Sequence, residues 1–282
     1  MVRLQFLFLL ILSMVFLVAP AHAESAFDCP FSKNYQRVHH VGGYLIQMLP
    51  GPKKSPYRCR GTITPSKGLR LTVAQEWALS VDEVSGSDIN GEGVPEVVFD
   101  GFSGGQRCCY LYWIVTLEKK PRVVREIRNQ VPLVFRKRPD GGIEIRTGEG
   151  SFDLFFLPHS DAVIPQLVLR LEGSQLTDIS AEYQEEYDQQ IAKARSELTA
   201  AELERFRQST YNQKMFIDQL PTVKWVLTIV LSYLYSGREQ QAWQALDEMW
   251  PPSDKERVRG LILERRARGL LGNRTTEPPH PQ

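Results

Sequence analysis

From Phe27 to about Asp178 apolar and polar positions alternate. Leu69, Leu71 and Val73, then Trp77, Leu79 and Val81, then Ile143 and Ile145 stand two residues apart with polar neighbours, the pattern of half-buried strands. Around Cys109 both phases turn apolar: Cys109, Leu111, Trp113, Val115 and Leu117 share one face, and Tyr110, Tyr112 and Ile114 the other. Successive side chains of a strand point to opposite faces, so this strand belongs in the middle of the β region. The spacing predicts short strands near residues 44–49, 61–64, 69–73, 77–84, 94–100, 108–117, 122–128, 133–136, 143–146, 152–157 and 166–171. Asp140-Gly141-Gly142 supplies a hairpin turn ahead of Ile143. Short strands at even spacing between Gly and Pro turns mean an antiparallel sandwich or a stack of blade-like meanders.

Near Ser180 the period changes. Tyr183, Tyr187, Ile191, Ala194 and Leu198 recur at four and three residues among Glu, Gln, Lys and Arg, the stripe of an amphipathic helix. Thr199 to Glu202 fits a capping box that restarts a helix carrying Leu203 and Phe206 inward. Pro221 opens the apolar segment Val223 to Tyr235, a buried helix ended by Gly237, and another helix spans Gln240 to Met249. Pro251-Pro252 stops it, and Ser253 to Glu256 has the capping-box pattern for a last helix reaching about Gly269. Tyr233, Gly237, Ala242 and Leu246 also have the spacing of a tetratricopeptide-like helical hairpin. Trp225, Trp243 and Trp250 are expected in the core.

The fold class is thus α+β with segregated parts: an antiparallel all-β domain over 24–178, a helical domain over 179–272 and a disordered Pro-rich tail at 273–282. Residues 1–23 combine a basic start, an apolar run from Leu4 to Val18 and the small-x-small end Ala21-His22-Ala23, the features of a secretory signal peptide. The mature chain is expected in the periplasm or outside the cell, with no transmembrane segment. Removing Arg3 from the 34 basic residues leaves 33 against 33 acidic ones. A neutral chain lacks the basic face that nucleic acid requires, so no nucleic-acid partner is expected.

All four cysteines, Cys29, Cys59, Cys108 and Cys109, lie beyond the cleavage signal, and an oxidising compartment favours disulfides. Two arrangements stand: Cys29 with Cys59 beside a vicinal Cys108–Cys109 bond, which is preferred, or Cys108 and Cys109 each bonded to one of the other two. The first would close a loop of about 30 residues, which stabilises by about 3.6 kcal/mol on chain-entropy grounds.

The densest concentration of unusual residues is Asp88 to Glu96, which reads D-x-N-x-E-G-x-x-E and is followed by Ser103-Gly-Gly-x-x-Cys-Cys109. Calcium takes about six to eight hard oxygens. Side chains of Asp88, Asn90 and Glu92, the Val94 carbonyl and the Glu96 carboxylate could supply them around a turn at Gly93. This stretch resembles the calcium loop of FG-GAP or integrin-type blades, in which such a loop joins the first two strands of a propeller blade. The likeness covers about 15 residues in a single copy, with Glu in place of Asp at Glu92 and Glu96. The longer string also resembles a set of uncharacterised secreted bacterial proteins, which implies compartment and fold. The plain alternative is a metal-free turn using Asn90-Gly91.

His39-His40 is expected at a strand rim, and Pro158 to Asp161, with His159, in a turn. No G-x-S-x-G nucleophile elbow is present. The expected function is therefore non-enzymatic binding: calcium rigidifies the loop, and the helical part contacts another envelope or extracellular protein, or a glycan. The alternative is an extracytoplasmic hydrolase using Glu92, Glu96 or His39 in a cleft.

Overall fold

The computed structural model describes residues 37–104, 109–209 and 218–272. The expected leader, Cys29, Cys108 and the tail lie outside the described residues. Twelve strands come first among the described residues and helices follow, the segregated α+β arrangement.

The strands form three four-stranded antiparallel sheets, each from four consecutive strands with neighbours in chain order. Sheet 1 holds β1 (Arg37–Val41), β2 (Tyr44–Pro50), β3 (Cys59–Pro65) and β4 (Leu71–Glu76). Sheet 2 holds β5 (Ala78–Val81), β6 (Glu96–Phe102), β7 (Tyr110–Thr116) and β8 (Arg122–Asn129). Sheet 3 holds β9 (Val134–Lys137), β10 (Ile143–Gly148), β11 (Gln166–Glu172) and β12 (Gln175–Asp178). These are meanders without crossovers.

Sheet 2 is the middle layer. Val97, Phe99, Leu111, Trp113 and Val115 join Ile46, Met48, Ile63 and Ala74 of sheet 1 in one apolar cluster. The alternate positions Val98, Tyr112, Ile114, Val124 and Ile127 join Ile143, Ile145, Leu167 and Leu169 of sheet 3 in another. That second cluster continues without a break into Tyr187, Val226, Leu246, Trp250 and Ile262 of the helical region. Cys59 and Cys109 belong to the sheet 1 side and are each disulfide-bonded.

A 3₁₀ turn at Ser180–Tyr183 leads into α1 (Gln184–Ser196), α2 (Ala200–Arg207), α3 (Leu220–Tyr235), α4 (Glu239–Met249) and α5 (Lys255–Arg268). The expected capping box at Thr199 and Glu202 is present with both reciprocal hydrogen bonds. Gly237, at φ 79°, closes α3, and Arg238 N donates to Tyr233 O at 2.9 Å across the turn. Trp250 is fully buried, whereas Trp225 and Trp243 are partly buried against the same cluster. Among the described residues no helix is long and apolar enough to cross a membrane.

Three local expectations are corrected. Residues 152–157 form no strand: a 3₁₀ turn at Gly150–Phe152 runs into a loop in which Leu154 and Phe156 have φ 58° and 60°. The apolar residues there, Phe152, Phe155 and Leu157, plug the cluster between sheet 3 and the helices. Ser253 caps nothing: the α5 N-cap is Asp254, without a side-chain capping bond. Its carboxylate instead accepts from Trp250 Nε1 at 3.1 Å and from Arg257 Nε at 2.7 Å. Finally, β1 and β12 are strands that the alternation does not predict.

Candidate functional site

The acidic stretch connects β5 to β6, the first two strands of the middle sheet. It is built by its own side chains. Asp88 accepts from Gly91 N through Oδ1 at 2.8 Å and from Gly93 N through Oδ2 at 2.9 Å. Those glycines have φ 78° and 79°, which L side chains rarely adopt, so the turn needs glycine at both. Asn90 Oδ1 accepts from Glu92 N at 3.0 Å, and Asn90 Nδ2 donates to Glu92 Oε2 at 2.9 Å. The base of the loop is tied to the sheet by Gly86 N to Glu96 O at 2.8 Å and Glu96 N to Ser87 O at 2.9 Å.

Glu96 is the unusual member. It is fully buried at the start of β6. Oε2 accepts from Ile89 N at 2.6 Å, but Oε1 is buried with no hydrogen-bond partner. Burial, then the charges of Asp88 and Glu92, lift its carboxyl to about 7 against the lowering effect of hydrogen bonds from the Ile89 and Asn90 backbones. Burying a charge without full compensation is unfavourable, so this carboxylate calls for a proton or a cation.

The structure places Asp88, Asn90, Glu92 and Val94 in the loop between β5 and β6, and Glu96 at the start of β6. Among the described residues no group of three or more His, Cys, Asp or Glu side chains is arranged to hold a metal ion. The donors nevertheless suit a hard cation: all are oxygens, two belong to an amide and a backbone carbonyl, and the orphaned Glu96 oxygen is the atom such an ion would satisfy.

The other sequence candidates disperse. His39 lies on β1 at the edge of sheet 1. His159 Nδ1 lies 2.8 Å from Asp153 Oδ1, a carboxylate–histidine pair in the loop after β10. The neighbouring Ser160 hydroxyl donates to Asp161 Oδ2 at 3.1 Å. Cys59 and Cys109 are not free thiols, and the pairings expected for them with Cys29 and Cys108 lie outside the described residues.

Sequence reasoning missed the basic side of this region. Lys137 on β9 and Arg170 on β11 face the acidic loop across a cavity that Glu172 and Gly173 also line. They lie far from it in sequence, and only the packing of sheet 3 against sheet 2 brings them there. No protein-family model, curated protein or solved structure compared with the chain matches it.

Proposed function

We propose that the protein is an extracytoplasmic, non-enzymatic binding protein whose loop from Asp88 to Glu96 takes up calcium and whose helical region contacts another protein. The observation that carries the calcium reading is Glu96, a fully buried carboxylate with one oxygen left without a partner beneath an acid-rich loop. The loop's position between the first two strands of a four-stranded meander supports it, because blade-type calcium loops sit at that junction. Asp88, Asn90, Glu92, the Val94 carbonyl and Glu96 would hold the ion. Bound calcium supplies positive charge that offsets three carboxylates and holds the loop in one conformation. For the helical surface, the support is a pair of partly buried tryptophans with cations against their rings: Lys224 Nζ lies 5.6 Å from the Trp225 ring centre, and the Arg259 guanidinium 5.4 Å from that of Trp243. Tryptophan and arginine are enriched at protein contacts.

The test is thermal unfolding in millimolar calcium and in excess chelator. A ligand bound only by the native state stabilises it by about 2.7 kcal/mol at about a hundred times its dissociation constant. The midpoint is expected to rise in calcium, and the rise to vanish in Glu96→Gln. An unchanged midpoint in the unsubstituted protein rejects the calcium reading.

A further inference from the structure

The cavity beside the acidic loop has a volume of about 730 Å³, within the usual range of small-ligand sites. One wall is the loop of sheet 2, whose charges are Asp88 and Glu92. The other comes from sheet 3 and carries Lys137, Arg170 and Glu172. A backbone hydrogen bond, Gly173 N to Asn90 O at 3.0 Å, ties the walls together at one point. Among the described residues no ion pair joins the two walls. Among the described residues the ion pairs of Arg170 are with Glu172 at 3.6 Å and Glu182 at 3.8 Å, both long. Ile89, Ile143 and Leu171, all buried, supply aliphatic lining.

Three carboxylates against two cations give the lining a formal charge of −1. A divalent ion in the loop, held also by the ionised Glu96, brings the total for the lining and Glu96 to zero and engages Asp88 and Glu92, so that they no longer compete for Lys137 and Arg170. We propose that this cavity binds an acidic peptide segment, a ligand carboxylate pairing with Arg170 and Lys137, and that calcium in the loop promotes the binding. The inference rests on the calcium reading above. Guanidinium is suited to a carboxylate because its fork of N–H groups can donate two parallel hydrogen bonds, and the long contact to Glu172 is one that a ligand can displace. A peptide fits better than a sugar because no aromatic ring lines the cavity to stack on a sugar face.

Titration calorimetry on the whole protein tests this, with triglutamate as probe and triglutamine as its neutral counterpart. Triglutamate is expected to bind about tenfold more tightly in calcium than in chelator, as two partly exposed charge contacts allow, and triglutamine to give no heat. The double variant Lys137→Gln, Arg170→Gln is expected to lose triglutamate binding while keeping the calcium-dependent rise in unfolding midpoint. Absence of triglutamate binding in calcium, with that rise intact, overturns the inference and leaves the calcium reading standing. Equal binding by the double variant, or preference for trigalacturonate over triglutamate, also overturns it. If calcium does not shift the midpoint, the earlier reading is what has failed.

Discussion

Asp100 shares the sheet 3 side of β6 with Glu96 and Val98, and its Oδ1 is buried without a hydrogen-bond partner. Burial, aided by the charge of Asp82, lifts its carboxyl to about 7. A carboxyl whose folded value is raised stabilises the fold most below its unfolded value near 3.8, and that contribution is lost as pH rises through about 7. Asp100→Asn is therefore expected to match the parent protein near pH 4 and to exceed it by about 1–2 kcal/mol at pH 8, as denaturant unfolding at the two pH values would measure. The loop acids were legible in the sequence because their spacing is itself a chemical pattern. Asp100 was not: an acid in a strand reads as solvent-facing until the sheet that covers it is known.

One arginine ties the β region to α1 with charge. Arg146 of β10 reaches Glu186 of α1 with a two-pronged contact, Nη1 to Oε2 at 2.6 Å and Nη2 to Oε1 at 2.9 Å, while its Nε donates to Glu144 at 2.5 Å. The Tyr183 hydroxyl donates to Glu144 from the turn before the helix. The hydrogen bond from Arg146 holds the Glu186 carboxyl below its ordinary value. Arg146 is 15 % exposed and Glu144 7 %, so removing the arginine strands a buried carboxylate, and Arg146→Met is expected to cost about 2–3 kcal/mol in chemical denaturation, with Arg146→Lys recovering only part. Among elements, the helices were read well because a stripe three or four residues apart has few alternative explanations. The loop over 152–157 was misread because its aromatic residues fill space between layers, and buried plugs can alternate as strands do. β12 was not legible, and β1 only as a strand rim at His39-His40, because edge strands need apolar side chains less.

At the scale of the molecule, the close approach of sheets 1 and 2 rests on a missing side chain. A Cβ on Gly61 would lie 2.5 Å from Phe99 Cε1 and 3.1 Å from Leu79 Cδ2. Gly61→Ala is accordingly expected to destabilise by about 1–3 kcal/mol, lowering the thermal midpoint. A variant as stable as the parent would mean that the two sheets can separate without penalty. The central place of β7 was legible because both of its faces are apolar. The order of the layers was not, since nothing in a strand's pattern names the sheet that will cover it.

That central strand has a practical consequence for watching the protein open. Trp113 and Ile114 are neighbours in the chain, yet Trp113 lies among the side chains of sheet 1 and Ile114 among those of sheet 3 and the helices. Probes placed at these two adjacent positions would monitor opposite halves of the molecule, so the relative timing of their signals would tell which side admits water first.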